Sequence, residues 1–195
     1  MRSYSLQMDH EFFAAINGLA GRDRVVDMLA VALSRFGPFL LLLALAIIWF
    51  HATTGAERER RQRLVLLAAI ATTGSLLVNQ ILIRIWSRPR PFAVQAATLL
   101  LPPSHDPSFP SDHATFAFAI AVALFLVSKR AGVPALVLAG LIGLARIYAG
   151  EHYVTDVAGG ALIGTLATLT ITRARHALKP LLAGLLRIVR RLHLA

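Results

Sequence analysis

Positions 64–86 read LVLLAAIATTGSLLVNQILIRIW, and this run carries one charged side chain, Arg84, close to its end. A helix needs about 20 mostly apolar residues to cross the hydrocarbon core of a bilayer. Three further apolar runs approach that length, at roughly 39–53, 114–128 and 134–148. The sequence therefore predicts an integral membrane protein built from helices.

A fifth apolar run covers about 156–172 and is rich in small residues. Gly160 and Gly164 lie within it at a spacing that lets two helix backbones approach closely. We interpret both glycines as helix-packing residues.

The N-terminal region contains two further candidate elements. Residues 25–36 are apolar but short, and Gly37 and Pro38, which follow, are expected to break a helix. We interpret that segment as a sixth, tilted span or as a re-entrant piece. Upstream, residues 9–19 show helical spacing of apolar side chains and suit a helix lying at the membrane interface. The side chains with that spacing are Phe12, Phe13 and Ile16.

The tail, 176–195, alternates leucines with Arg187, Arg190 and Arg191. It predicts a basic amphipathic helix on the inner leaflet, with a solvated, unstructured tail as the alternative.

Together the runs predict an all-α fold, a polytopic membrane helical bundle of five to six transmembrane helices with an N-terminal interfacial helix. We expect one domain over 1–195, with 1–35 as the interfacial, re-entrant or first-span region.

Composition excludes several classes of protein. Hydrophobic residues make up 56% and charged residues 15% of the chain, too few charges for the surface of a soluble globule. The absence of cysteine excludes a disulfide scaffold, a thiolate zinc site and a cysteine nucleophile.

In a soluble protein the net charge of +10 would indicate nucleic acid as a partner. Here we expect membrane lipids and no nucleic acid, because the basic residues fall mostly in short linkers.

The linkers also predict an orientation, because lysine and arginine accumulate on the cytoplasmic side. Threading the five runs through a bilayer places every basic linker on one face, and the remaining loops lie together on the external face. The inward linkers hold Arg58, Arg60, Arg61, Arg63, Lys129, Arg130, Arg173 and Arg175. Chemistry is therefore expected on the external side.

The external loops hold most of the unusual polar residues, in segments 84–92, 108–114 and 146–156. Arginine is costly to desolvate near a membrane surface, so Arg84 and Arg146 need a partner or a snorkelling route. Phosphate is a suitable partner, because the guanidinium fork matches its oxygens in a bidentate way.

His152 and Asp156 lie four positions apart and would share one face of a helix. A carboxylate bonded to one ring nitrogen leaves the other nitrogen as a nucleophile or base. A simple helix-start pair is the alternative reading, and two histidines with few carboxylates make a poor Mg²⁺ cage.

Ser111, Asp112 and His113 directly precede an apolar run. The N-terminus of a helix there would offer backbone N–H groups and a positive end to an anion. Ser111 could instead serve only as the N-cap. His113 would lie in the first helical turn, where its imidazole suits proton donation to a leaving oxygen.

These residues resemble the three-part signature of the type 2 phosphatidic acid phosphatase family, integral-membrane lipid phosphatases related in fold to vanadium haloperoxidases. The family pattern has a basic residue followed by Arg-Pro, then Pro-Ser-Gly-His, then Ser-Arg, five residues, His, three residues and Asp. The matching positions are Arg90-Pro91, Pro110-Ser111-Asp112-His113, and Arg146, His152 and Asp156.

The sequence departs from the pattern at three positions. Arg84 is the nearest candidate for the usual lysine, Asp112 replaces glycine, and Ala145 replaces serine. The aspartate form resembles the undecaprenyl-diphosphatase branch associated with bacitracin resistance.

The resemblance implies a mechanism. His152 attacks the terminal phosphorus with the aid of Asp156, a phosphohistidine forms, and His113 protonates the departing lipid phosphate. The phosphate oxygens are held by Arg84, Arg90, Ser111 and Arg146, and Arg88, Asp106 and Asp112 are candidates for the pocket. No metal or other cofactor is expected, because the arginines supply the positive charge. The remaining histidines are interpreted as bystanders, namely His51, His105, His176 and His193.

The expected activity is hydrolysis of undecaprenyl diphosphate to the monophosphate and phosphate, in peptidoglycan biosynthesis, at the external side of a bacterial inner membrane. A phosphatase acting on phosphatidic acid or phosphatidylglycerol phosphate is the nearest alternative. A non-catalytic protein that binds or flips lipid phosphates is an alternative of another class.

Overall fold

A computed structural model describes residues 2–51 and 54–191, with side chains described from residue 7 onward. The described chain is mostly helical and contains no strand, which confirms the predicted all-α class. The helices are α1 (Arg2–Asn17), α2 (Arg24–Phe50), α3 (Gly55–Ile85), α4 (Pro91–Val94), α5 (Asp112–Val127), α6 (Lys129–Tyr148), α7 (Val154–Arg173) and α8 (Lys179–Arg191), with a 3₁₀ turn at Ala174–His176.

Within residues 2–51 and 54–191, four helices are long and apolar enough to cross a membrane. They are α2, α3, α6, and α7 together with its 3₁₀ extension to His176. The run predicted at 114–128 forms α5, which is apolar but has only 16 residues. The protein is thus an integral membrane protein with four candidate spans by length, packed around a shorter apolar helix.

The predicted helix break at Gly37 and Pro38 is wrong, because α2 continues through both residues from Arg24 to Phe50. The two N-terminal segments are therefore one helix and not two spans. A proline costs the helix one backbone hydrogen bond, which membrane helices tolerate when neighbouring groups compensate. Gly37 is a contact residue: a Cβ there would lie 2.6 Å from Cγ1 of Ile142 on α6. The end of the predicted run 39–53 lies outside the described residues.

Helix α5 lies at the centre of the bundle, between α3, α6 and α7. Ala117, Ile120 and Ala121 of this helix are almost fully buried, in one cluster with Leu41 of α2. The packing prediction for the two glycines of α7 is confirmed. A Cβ on Gly164 would lie 2.3 Å from the carbonyl oxygen of Thr115, and one on Gly160 would lie 2.5 Å from that of Ser111. Small residues thus let α5 and α7 touch backbone to backbone.

The described parts of the two terminal regions form α1 and α8, which confirms that they are helical. In α1, Phe13 is fully buried beside Tyr153, whereas Phe12 is exposed. The side chain of Asn17 fastens the end of α1, because its amide donates to the carbonyl oxygens of Thr98 and Tyr148 at 2.8 Å each.

In the tail, α8 buries Leu182 and Leu186 and exposes its arginines. Residues 192–195, including His193, lie outside the described part of the chain.

Candidate active site

The C-terminal ends of α3 and α6 and the N-terminal ends of α5 and α7 meet at one end of the bundle. Between them lies a cavity of about 190 Å³. Its walls bring together six of the predicted site and pocket residues, Arg90, Asp106, Asp112, His113, Arg146 and His152. The other lining residues are Gln80, Ile83, Ser104, Pro107 and Pro110.

The long loop between α3 and α5 is fastened to the site by its own backbone. The N–H of Ser108 donates to the carbonyl oxygen of Arg88 at 2.8 Å, and the N–H of Ser111 donates to that of Asp156 at 3.1 Å. The Nε of Arg90 donates to the carbonyl oxygen of Asp106 at 2.8 Å. The loop is therefore held against the start of α7, where it supplies part of the cavity wall.

His152 lies in the turn before α7 and not on the helix, so the predicted shared helical face is wrong. Its Nδ1 is 2.9 Å from the carbonyl oxygen of Ser108 and 3.8 Å from Oδ2 of Asp156. Because a carbonyl oxygen can only accept, Nδ1 carries the hydrogen. The lone pair of Nε2 is then free, as a nucleophile requires.

Burial lowers the pKa of His152 below its usual value. Asp156 opposes that shift, and the nearby cations of Arg90 and Arg146 reinforce it. The imidazole is consequently neutral at neutral pH.

Asp156 is completely buried and is held by several donors. Its Oδ2 accepts from the backbone N–H of Tyr153 at 2.8 Å and from the hydroxyl of Ser108. Its Oδ1 accepts from Nη1 of Arg88 at 2.7 Å. Ser108 links the two residues, because its hydroxyl donates to Asp156 and its carbonyl oxygen accepts from His152. Asp156 therefore positions His152 mainly through Ser108, since its own distance to the imidazole is 3.8 Å.

The sequence predicted Arg88 as a residue of the pocket. In the structure Arg88 instead lies behind Asp156, on the side away from the cavity. Its Nη2 donates to Oδ2 of Asp9 at 2.6 Å, and its guanidinium lies 4.1 Å from the centre of the Tyr153 ring. Arg88 therefore pairs with two buried carboxylates, Asp9 and Asp156, and its side chain does not line the cavity.

Arg84 is also displaced from its predicted role. It lies in the last turn of α3 with an exposed side chain, and it is not among the described residues that line the cavity. Gln80 and Ile83 of the same helix do line the cavity.

Ser111 precedes α5 in the N-cap position, but its hydroxyl makes no capping hydrogen bond. The hydroxyl is fully buried and has no partner among the described residues. Ser111 is not among the described residues that line the cavity, so its predicted contact with phosphate stays a prediction.

Asp112 lines the cavity wall, and its Oδ1 accepts from the amide of Asn79 at 2.7 Å.

Sequence analysis missed Glu151, the residue that joins the two cavity arginines. Its Oε2 accepts from Nη1 of Arg90 at 2.6 Å and from Nη2 of Arg146 at 3.3 Å. The side chain is 1% exposed, and neither its Oε1 nor Nε of Arg146 has a partner in the described chain. The available signal was a single carboxylate next to His152 in an arginine-rich loop region, since buried guanidinium groups need a counter-ion.

Asp9 is a second residue that sequence analysis missed. It is 4% exposed on α1 and accepts from Arg88 and, at 3.1 Å, from the backbone N–H of Thr155. Nothing near Asp9 in the sequence signals this contact.

Comparisons with known proteins find relatives of the chain in both sequence and fold. Over 93% of its length, the chain is 31% identical to undecaprenyl-diphosphatase BcrC of Bacillus subtilis and covers 91% of that protein. The crystal structure of Aquifex aeolicus LpxE superposes with a TM-score of 0.66 at 29% identity, over 84% of this chain and 93% of that one. A PAP2 type phosphatidylglycerolphosphate phosphatase from Bacillus subtilis shares the fold, with a TM-score of 0.69 at 23% identity, over 90% of this chain and 88% of that one.

The sequence pattern of the PAP2 superfamily matches residues 63–180. That range contains all three motifs and every residue that lines the cavity. The chain therefore belongs to the PAP2 superfamily.

Proposed function

We propose that the protein is a membrane phosphatase that hydrolyses undecaprenyl diphosphate to undecaprenyl phosphate and inorganic phosphate. One observation carries the chemistry: the Nδ1 hydrogen of His152 is committed to Ser108, and the same cavity holds His113 and two arginines. The relative named undecaprenyl-diphosphatase, which aligns over nearly the whole chain, supports the choice of substrate.

In the first step, Nε2 of His152 attacks the terminal phosphorus. A P–N bond forms while the bond to the bridging oxygen breaks, and His113 gives its proton to the departing lipid phosphate. In the second step, water attacks the phosphohistidine, His113 takes a proton from that water, and inorganic phosphate leaves with Nε2 restored. The two histidines thus return to their starting states.

Arg90 and Arg146 stabilise the charge that develops on the phosphoryl oxygens. Both are largely buried, and preorganised cations in such a site act more strongly than in water. The free hydroxyl of Ser111 supplies a further donor. The arginines provide the positive charge, so the proposed steps use no metal or other cofactor.

For the membrane arrangement we propose five spans in a single domain over 1–195, formed by α2, α3, α5, α6 and α7. The basic linkers lie at the end opposite the cavity, which supports an external, periplasmic site in a bacterial inner membrane. In this arrangement α1 lies at the outer interface and α8 at the inner one.

Two alternatives remain distinct. The same residues could act on phosphatidic acid or phosphatidylglycerol phosphate, and a structural neighbour is named for the latter substrate. A protein that only binds or flips lipid phosphates would keep the arginines but would not need the nucleophile.

Phosphate release from the three lipids, measured in detergent with EDTA, tests the proposal. We expect undecaprenyl diphosphate to be preferred, and His152→Ala to lower kcat by about 10³-fold or more. His51→Ala is the matched control, because His51 is exposed at the end of α2 and neither it nor its described neighbour Phe50 lines the cavity. Full activity of His152→Ala would remove the nucleophile assignment, and a folded protein inactive on all three lipids would favour the binding protein.

A further inference from the structure

A second cavity, of about 340 Å³, lies between α3, α5 and α8. Its lining falls into two chemical groups, five basic and five aliphatic side chains. The basic group is Arg60, Arg63, Arg175, His176 and Lys179, and the aliphatic group is Leu64, Leu67, Leu126, Val127 and Leu182.

This cavity is separate from the catalytic one. On α3, the catalytic cavity is lined by Gln80 and the second by Arg60. A helix rises 1.5 Å per residue, so these positions are about 30 Å apart along α3. On α5, likewise, His113 lies in the first turn and Val127 is the last residue. The two cavities therefore lie at opposite ends of the same helices, about one bilayer thickness apart.

The positive charge of the second cavity is mostly uncompensated. Arg63 is paired with Glu59 at 2.7 Å, and Glu59 also accepts from Arg190 at 3.1 Å. No carboxylate lines the cavity, and within the described chain Arg60, Arg175 and Lys179 form no ion pair. Three cations thus surround one space and lack a counter-ion.

The cavity lining is divided into a charged part and an apolar part, which match the headgroup and the hydrocarbon chains of an amphiphile. Arg60, Arg175 and Lys179 are exposed and form the rim, whereas Leu67 and Leu182 are buried at 5% and 2% exposure. A free inorganic anion would use the rim alone. A phosphate ester with hydrocarbon chains would fill both parts.

We propose that this cavity binds an anionic phospholipid of the leaflet opposite the catalytic site. Its phosphate contacts Arg60, Arg175 and Lys179, and the first part of its acyl chains lies against the leucines. Because α8 supplies one wall and α3 another, the bound lipid joins the C-terminal helix to the bundle, next to the Arg190–Glu59 ion pair.

Lipid binding to the purified full chain in detergent tests this, measured by native mass spectrometry with phosphatidylglycerol and with phosphatidylcholine. The variant Arg60→Gln/Arg175→Gln/Lys179→Gln is compared with Arg58→Gln/Arg130→Gln/Arg191→Gln. The control removes the same charge from basic residues that do not line the cavity.

We expect the wild type to prefer phosphatidylglycerol and the cavity variant to bind it roughly 100-fold more weakly, at about fivefold per basic residue. The control variant should stay within threefold of the wild type. If the triple variant does not fold, Arg60→Gln and Lys179→Gln alone should each weaken binding about fivefold.

Three results would overturn the proposal. They are equal binding by the cavity variant and the wild type, an equal loss in the control variant, and inorganic phosphate or glycerol phosphate competing as well as the lipid. Phosphatidylglycerol has no terminal phosphate to release, so this binding result is independent of whether the enzyme is a phosphatase.

Discussion

Arg88 donates to Oδ1 of Asp156 at 2.7 Å from the side away from the cavity. The same guanidinium reaches Asp9 at 2.6 Å, so one cation is shared by two buried carboxylates from α1 and α7. Together with the hydroxyl of Ser108 and the N–H of Tyr153, this cation stabilises the ionised form of the buried Asp156. An arginine that sequence analysis assigned to the pocket therefore acts on the positioning carboxylate and not on the substrate.

Replacing Arg88 with glutamine should lower kcat by about 10- to 100-fold and leave KM within about threefold, because Asp156 loses its cation while the cavity keeps its arginines. Steady-state kinetics on the diphosphate lipid will measure both. Arg84→Gln is the control, with an expected change below about twofold, since Arg84 is exposed. A raised KM with unchanged kcat in Arg88→Gln would show instead that Arg88 binds the substrate.

Replacing Glu151 with glutamine should lower the Tm in detergent, because two buried guanidinium groups lose their shared counter-ion, a loss of about 3–5 kcal/mol for a buried pair. Inorganic phosphate should then raise the Tm of Glu151→Gln by more than it raises that of the wild type, since the anion replaces the missing charge. Thermal unfolding with increasing phosphate measures this. Equal phosphate shifts in the two proteins would show that the cavity arginines do not bind phosphate.

The pH dependence of the first chemical step should report the lowered pKa of His152. The imidazole is nucleophilic only when neutral, so activity is present above its pKa and is lost as the pH falls through it. Because burial lowers that pKa, the acid limb should lie below about pH 6.5, the usual histidine value. Single-turnover phosphorylation between pH 4.5 and 8 gives the midpoint. A midpoint above 6.5 would mean that another group controls the step.

Gly164→Ala should destabilise the bundle by about 1–3 kcal/mol and reduce activity, although residue 164 lies two turns below the site. The added Cβ would meet the backbone of Thr115 at 2.3 Å, and backbone atoms cannot move aside as a side chain can. Gly140→Ala is a matched control, since a Cβ there meets nothing within 4 Å. Thermal unfolding and phosphate release should separate the two variants, and equal stability would refute the close contact of α5 with α7.

The apolar runs and the two histidines were predictable because hydropathy and motif spacing are local properties of the sequence. The continuity of α2 was not, since it depends on Gly37 fitting against Ile142 from another helix. Arg84 and Arg88 could not be placed, because whether an arginine near the end of α3 reaches the cavity depends on how the following loop packs against α1 and α7, and not on spacing in the sequence. Glu151 and Asp9 became visible only when buried guanidinium groups required counter-ions from distant parts of the chain.

The contact of α1 with the site has a consequence for chimaeric proteins. The region that matches the superfamily begins at residue 63, yet the carboxylate of Asp9 completes the charge balance around Arg88. An exchange of 63–180 between relatives would carry the motifs across and leave this carboxylate behind. Helix α1 has to be transferred together with the motifs if the recipient is to acquire their electrostatic environment.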